Sequence, residues 1–155
     1  MQKLVENVFL TRELYQTILA PVCSKHNITQ TEAMVLLFLA NYPKHDTATD
    51  IVEKLRLTKS AVSTAARDLQ ERGFIKGKFV NGNHRSIHLE LCKAAEDIVK
   101  DGNEAQRAFY SVVVNGFEEE ELEKLKSFFK RVAENISAYH RNDGDVPDMH
   151  MMTGK

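Results

Sequence analysis

Residues 47–91, TATDIVEKLRLTKSAVSTAARDLQERGFIKGKFVNGNHRSIHLEL, combine two short helical patterns with two strand patterns. Thr47 and Asp50 form a capping-box-like start for the first helix, because each side chain can satisfy a free backbone N–H. Thr58 is a good N-cap for the second helix, and Gly73 is a natural C-terminal stop for it. The segment therefore begins with a helix, a tight turn and a second helix.

Two strand patterns follow the second helix. Residues 74–80 are rich in strand-forming side chains, and residues 86–91 alternate polar and apolar side chains, as a half-buried strand does. Asn81-Gly82 lies between them and favours a tight turn, because both residues tolerate positive φ. The sequence predicts a mainly α fold with a small β-wing, a winged helix-turn-helix.

The outer side of the second predicted helix carries short hydroxyl side chains among cations. Ser and Thr let a helix approach base edges in the major groove, and Lys and Arg reach phosphates or guanine. A solvated helix face has the same composition, so it is the position after a helix-turn-helix that favours DNA. The predicted DNA-binding residues are Thr58, Lys59, Ser60, Ser63, Thr64 and Arg67 on the helix, with Lys76, Lys78, His84 and Arg85 on the wing. Arg85 suits the narrow minor groove, where the negative potential is enhanced.

The order of these elements resembles the MarR family of winged-helix transcriptional regulators, over roughly residues 5 to 140. In that family the wing reads Gly-[Leu/Phe/Tyr]-Ile-x-Arg, then Asp-x-Arg, then Leu-Thr-x-x-Gly. This chain has Gly73-Phe74-Ile75-Lys76-Gly77, Asn83-His84-Arg85 and Leu91-Cys92-Lys93-Ala94-Ala95 at the same spacing. It departs from the family pattern at Gly77, Asn83, Cys92 and Ala95.

The resemblance implies a homodimeric DNA-binding regulator, most often a repressor, whose first helix joins the dimer interface. It also implies a response to small, often phenolic ligands, or to oxidants sensed by an N-terminal cysteine, for which Cys23 is the candidate. A half-buried thiol beside a surface histidine is the simpler interpretation of Cys23-x-x-His26. The departures at Gly77 and Asn83 leave the wing poorer in charge than the family pattern and keep an alternative open. In it the chain is a winged-helix protein–protein interaction module or an anti-regulator, with weak or no DNA binding.

Composition limits the other functional classes. The chain has 155 residues, 43% of them hydrophobic, which suits one domain-sized unit. It has no apolar run of about 18 residues and no signal-peptide pattern, so we expect a cytoplasmic protein with no membrane partner. Its two cysteines, Cys23 and Cys92, form no disulfide framework or zinc motif. No nucleophile–base set, phosphate loop or metal cluster is evident, so we expect neither an enzyme nor a cofactor or bound metal.

The net charge of −1 conceals a strong asymmetry. Residues 47–90 contain eight basic and five acidic side chains, a net charge of +3. Residues 91–155 contain nine basic and thirteen acidic side chains, a net charge of −4. Screening confines phosphate attraction to about 8–10 Å at physiological salt, so the local positive charge matters more than the total.

The N-terminal part contains two further predicted helices. Residues 3–26 have one apolar side, and Pro21 predicts a kink or a helix end near Ala20. Thr29 and Glu32 form a capping box for a helix that is apolar nearly all round and therefore buried. Beyond the wing a long helix contains Gly102, which indicates either a bend or the close approach of a partner helix.

The last predicted helix carries a heptad seam and opens with the acidic run 118–121, which complements the helix dipole. The seam residues are Leu122, Leu125, Phe129, Val132, Ile136 and Tyr139. They require a cover, either the first helix or, more economically, a second copy of the chain. A two-fold dimer would hold its recognition helices about one turn of DNA apart, which predicts a near-palindromic operator in double-stranded DNA.

The predicted organisation has three parts. Residues 1–28 and 92–140 form a helical dimerisation region, and residues 29–91 form the winged helix-turn-helix lobe. Residues 141–155 are polar and contain Gly and Pro, so we expect a disordered tail. The operator sequence and the identity of an effector are not encoded in any recognisable pattern.

Overall fold

The computed structural model of the chain describes residues 2–80 and 83–141, except for the side chains of residues 80 and 83–85. The helices are α1 (Gln2–His26), α2 (Gln30–Asn41), α3 (Ala48–Leu55), α4 (Lys59–Glu71), α5 (Glu96–Val113) and α6 (Glu119–Arg141). Strands β1 (Ile75–Val80) and β2 (Asn83–Leu91) form an antiparallel pair, and a 3-10 turn, Lys93–Ala95, precedes α5. The predicted mainly α fold with a small β-wing is confirmed. The Asn81-Gly82 turn and the predicted tail beyond Arg141 lie outside the described residues.

The described part of the chain divides into two compact units, one ending at Val113 and the other beginning at Val114. In the first unit α2 lies at the centre of the core, with Val35, Leu36 and Leu37 buried. The predicted capping box is present, since the Thr29 N–H donates to Glu32 Oε2 at 2.6 Å and the Glu32 N–H donates to Thr29 Oγ1 at 3.2 Å. Satisfying these helix-end donors fixes the start of the central helix.

The wing is attached to the segment that precedes α3. Thr47 forms an isolated bridge with His88, and the Leu89 N–H donates to the Asp46 carbonyl at 2.7 Å. His88 Nδ1 also lies 2.6 Å from Asp46 Oδ1. The Thr47–Asp50 capping box begins α3 one residue later. The hairpin is therefore tied to the helix-turn-helix through both backbone and side chain.

Of the two alternatives at Pro21, a helix end near Ala20 is wrong, because α1 continues through Pro21 to His26; a kink stays a prediction. Proline removes one backbone donor and crowds the preceding turn. Leu19 and Val22 lie on either side of Pro21 and are both buried in the core. Burial of these side chains on one continuous helix face offsets the local cost of the proline, since most helical stability in proteins comes from packing.

Of the two alternatives for Gly102, the structure shows close approach. A Cβ built at Gly102 would lie 2.7 Å from Leu37 Cδ2, and Leu37 is buried on α2. The approaching helix is therefore a core helix of the same chain, and α5 is unbroken from Glu96 to Val113. Cys92 occupies the N-cap position before the 3-10 turn but makes no side-chain capping bond.

The second unit is described by α6 and the residues that lead into it. Gly116 has a φ of +83°, and α6 begins shortly after it. The Glu118 N–H donates to Glu121 Oε2 at 3.0 Å, so the acidic run caps the helix as predicted. None of the residues of α6 is fully buried.

Candidate nucleic-acid interface

Helix α4 separates its side chains into a buried side and an exposed side. Val62, Ala65, Ala66 and Leu69 are buried against the rest of the lobe. The exposed side carries Lys59, Ser60, Ser63, Thr64 and Arg67, as the sequence predicts. The buried side therefore anchors α4 to the lobe, and the hydroxyl and cationic side chains of the other side remain accessible to a ligand.

Thr58 has a structural role at the start of this helix. Its Oγ1 accepts a hydrogen bond from the Ala61 N–H at 3.2 Å and lies 3.2 Å from Ser60 Oγ. The predicted N-cap is present, so the Thr58 hydroxyl is already engaged by the helix. Of the two adjacent hydroxyls, Ser60 is the one with more freedom to turn towards DNA.

Arg67 is paired within α4. Its Nη2 lies 3.0 Å from Asp68 Oδ1, and its Nε lies 3.9 Å from Glu71 Oε1. Exposed pairs of this kind contribute little stability, because water screens the attraction. A phosphate or a guanine edge can therefore compete for the guanidinium at small cost.

The predicted wing lysines share one carboxylate. Glu90 Oε2 lies 3.3 Å from Lys78 Nζ and 3.5 Å from Lys76 Nζ, on the polar face of the hairpin. The Lys78 hydrogen bond, followed by the charges of both lysines, lowers the pKa of Glu90. Glu90 thus offsets part of the positive charge of the wing. The side chains of His84 and Arg85 lie outside the described residues.

A groove beside α4 adds residues that the sequence did not suggest. It has a volume of about 370 Å³ and runs between the start of α2 and α4. Thr31 lines it together with Ser60, Thr64 and Asp68. The capping box before α2 predicts a helix start here, but no local pattern indicates that this helix start lies beside α4.

A larger cavity of about 850 Å³ lies within the first unit, between α1, α2 and α5. Its wall is mainly aromatic and apolar, and Arg107 is its one charged lining residue. Gln106 Nε2 donates to the Tyr15 hydroxyl at 3.2 Å, which orients two of the polar groups at the wall. The lining comprises Tyr15, Met34, Leu37, Phe38, Asn41, Tyr42, Leu55, Asn103, Gln106, Arg107, Tyr110 and Ser111.

Among the described residues, most of the predicted dimerisation seam on α6 is exposed. Phe129 is 61% exposed and Val132 is 50% exposed, while Leu122 and Leu125 are partly buried. Ile136 and Tyr139 continue the exposed apolar side. The first half of α1 also exposes large apolar residues, among them Val8 and Phe9. On each of these two helices, several exposed large apolar side chains indicate a site of association.

Cys23 and His26 do not form a ligand set. Burial raises the pKa of the Cys23 thiol, which disfavours the reactive thiolate. His26 Nε2 instead lies 2.6 Å from Asp101 Oδ2. Within residues 2–80 and 83–141, no three His, Cys, Asp or Glu side chains are grouped to hold a metal ion. Over the same residues, no helix combines the length and apolar character that a membrane span requires.

Comparison with known proteins agrees with this architecture. The family model described as MarR family matches residues 26–86, which cover the winged helix up to the first part of β2. A MarR family transcriptional regulator from Listeria monocytogenes, solved with 26mer DNA, has a TM-score of 0.77 at 18% identity, covering 92% of this chain and 96% of that one. The S. aureus MepR–DNA complex has a TM-score of 0.69 at 19% identity, covering 83% and 91%.

A third similar structure contains a small molecule. NadR in complex with 4-hydroxyphenylacetate has a TM-score of 0.70 at 17% identity, covering 82% of this chain and 89% of that one. At these identities the structural similarity establishes the shared fold. The winged-helix lobe is thus similar to the MarR family, and the similar solved structures include transcriptional regulators.

Proposed function

We propose that the protein is a homodimeric, sequence-specific DNA-binding regulator that represses transcription in the cytoplasm. The observation that carries the proposal is the exposed side of α4, where Ser60, Ser63 and Thr64 lie between Lys59 and Arg67. The opposite side of α4 is buried, so the helix presents these groups on a rigid support. Two similar structures that contain DNA add support.

The basic excess and the apolar seam support a two-fold assembly on DNA. Residues 47–90 have a net charge of +3, which favours the phosphate backbone near α4 and the wing. An apolar seam repeated on two copies of α6 forms a self-complementary interface. Two recognition helices related by such an axis would read a near-palindromic operator.

A small aromatic carboxylate is the effector class that the cavity favours. Aromatic side chains such as Phe38 and Tyr42 offer surface for a ring, and Arg107 offers a guanidinium for a carboxylate. The complex of NadR with 4-hydroxyphenylacetate is a precedent in a protein of similar fold. A ligand that prefers a half-site spacing unsuited to DNA lowers DNA affinity by its differential binding energy.

Selection of bound sequences from a random duplex pool, using the full chain, tests DNA recognition and dimer geometry together. We expect a near-palindrome whose affinity falls steeply with salt, with a slope of about −0.9 for each phosphate contact. Ser63→Val should reduce discrimination between the selected and scrambled duplexes by about tenfold or more. Ser127→Val, on the side of α6 away from the seam, is the matched control and should leave discrimination unchanged.

The same binding assay tests the effector. Adding 4-hydroxyphenylacetate should weaken DNA binding by the wild type, and it should weaken DNA binding by Arg107→Gln to a smaller extent.

The competing function is a winged helix that contacts proteins. The pairing of Lys76 and Lys78 with Glu90 favours it, because the wing then offers less charge to a phosphate. One contrary result is a selection that yields no enriched sequence, and another is a best duplex that is bound no more tightly than a scrambled one. Either result would contradict the proposed regulator and favour the protein-contact function. A role for Cys23 in an oxidant response receives no support from its raised pKa.

A further inference from the structure

Three helix ends of the first unit meet at one place: the end of α1, the start of α2 and the end of α4. Helix α4 ends in a Schellman motif, with Gly73 at a φ of +73° and the Phe74 N–H donating to the Leu69 carbonyl at 2.9 Å. This motif fixes the direction of Arg72, the C-cap residue of α4.

Helix α1 ends in the same motif. Asn27 has a φ of +51°, and the Ile28 N–H donates to the Cys23 carbonyl at 3.0 Å. The Schellman bonds use carbonyls one turn earlier, so the carbonyls of His26 and Asn27 need other donors. They also form the negative end of the α1 dipole, which attracts a cation.

Arg72 supplies both donors from α4. Its Nη1 donates to the Asn27 carbonyl at 2.9 Å, and its Nη2 donates to the His26 carbonyl at 3.2 Å. Nη1 also lies 3.9 Å from Glu32 Oε1 at the start of α2, and the guanidinium lies 4.8 Å from the centre of the Phe74 ring. Only a planar guanidinium can donate in this fixed fork, so lysine is not equivalent.

The same end of α1 is attached to α5. Asp101 Oδ2 lies 2.7 Å from Lys25 Nζ and 2.6 Å from His26 Nε2. The Lys25 hydrogen bond, with that of His26, lowers the pKa of Asp101, as expected for a carboxylate held between two such donors. The last turn of α1 is therefore held by α5 on one side and by the end of α4 on the other.

We propose that Arg72 is a positioning residue for DNA recognition, which couples the α1–α5 pair to the recognition helix α4. The inference rests on the proposed function, since it concerns how far apart and at what tilt a dimer presents its two α4 helices. α1 and α5 also line the large cavity, so a shift of either helix reaches α4 at the carbonyls that Arg72 holds. Glu32 has a second partner besides Arg72, since its Oε2 accepts a hydrogen bond from the Thr29 N–H at 2.6 Å.

The test measures the preference for half-site spacing. The selected duplex is compared with duplexes in which the centre is lengthened or shortened by one to three base pairs. We expect Arg72→Gln to bind the selected duplex about tenfold more weakly than the wild type and to discriminate poorly between spacings. Arg72→Lys keeps the positive charge near Glu32 but cannot donate to both carbonyls. Its affinity and its discrimination between spacings should therefore lie between those of the wild type and of Arg72→Gln. Lys100→Gln removes a positive charge from α5 and should behave as the wild type.

The possible results separate the inference from the proposed function. A folded Arg72→Gln protein that keeps the wild-type order and size of spacing preference overturns the inference and leaves the regulator intact. A wild type that selects no duplex overturns the proposed function, and the inference with it. If thermal unfolding shows that Arg72→Gln does not fold, Asp101→Ala takes its place. It frees the same turn of α1 from α5, and an unchanged spacing preference in that variant contradicts the inference equally.

Discussion

Helices α2 and α6 both carry large apolar side chains, but in the described part of the chain only those of α2 are fully buried. Leu36 and Val35 on α2 are completely buried, whereas none of the residues of α6 is buried and Phe129 is 61% exposed. The difference shows that apolar content alone does not decide burial. A helix that is apolar all round is buried on every side and becomes a core helix. A helix with one apolar stripe buries only that stripe, and only against a complementary surface.

The rest of each helix agrees with this division. Glu32 is the only charged residue of α2, and it is used in the capping box. Helix α6 is charged outside its seam and forms pairs such as Lys124–Glu120 and Lys126–Glu123, each with an N–O distance of 2.6 Å. Such pairs support a solvated helix by a few tenths of a kcal/mol each. These pairs therefore stabilise α6 as a helix independently of the proposed contact between two seams.

The largest expected effect is on association through α6. Phe129→Asp puts a carboxylate on each side of the proposed two-fold interface, and burying an unpaired charge is strongly unfavourable. We expect the dimer dissociation constant to rise at least about 1,000-fold, roughly 4 kcal/mol, with loss of operator binding. Sedimentation equilibrium measures the dimer dissociation constant. Ser127→Asp adds the same charge away from the seam and should stay dimeric. A Phe129→Asp dimer as tight as the wild type would show that α6 is covered in another way.

The second largest effect is on the free energy of unfolding, which we expect to fall more when a leucine is truncated on α2 than on α6. In the monomeric Phe129→Asp background, Leu36→Ala should lower the free energy of unfolding by about 3 kcal/mol, because it removes a fully buried side chain and leaves a cavity. Leu125→Ala in the same background should cost less than about 1 kcal/mol. Urea denaturation measures both values. Equal costs for the two leucines would contradict the division between a core helix and an interface helix.

The smallest effect concerns how tightly α2 is packed. Gly102→Ala brings a methyl group to 2.7 Å from Leu37 Cδ2, and overpacking a core costs about 1–3 kcal/mol. Replacing a mid-helix glycine by alanine returns roughly 1 kcal/mol. We expect a net loss of about 1 kcal/mol in thermal or urea unfolding, with Ser127→Ala, on the exposed side of α6, neutral or slightly stabilising. A Gly102→Ala protein that is more stable than the wild type would mean that the Leu37 side chain shifts away from the added methyl group at little energetic cost.

Much of the lobe was predictable because its signals are local. Thr29, Thr47 and Thr58 each bond to a backbone N–H within three residues, and Gly73 supplies the positive φ that ends α4. Such bonds depend on neighbours in the chain, so the residue types specify them directly. The hydroxyl-rich exposed side of α4 followed from the spacing of its buried partners.

The incorrect or missing predictions all involve distant parts of the chain. α1 continues past Pro21 because the core, not the local sequence, determines where that helix ends. Lys76 and Lys78 meet Glu90 only through the register of the hairpin, in which Lys76 lies opposite Glu90. The domain boundaries and the DNA-binding residues remain predictions, which the variants of α4 and α6 address.

The amino-acid sequence by itself determined the helices, the wing and the helix ends other than that of α1, since these depend on side chains and backbone groups a few residues apart. The tertiary structure alone decided what meets at the end of α1, where the Arg72 guanidinium reaches a carbonyl 45 residues away. It also decided that α2 is enclosed while α6 is exposed. The physical reason is that packing and long-range hydrogen bonds depend on how the elements are arranged in space, and no local pattern encodes that arrangement.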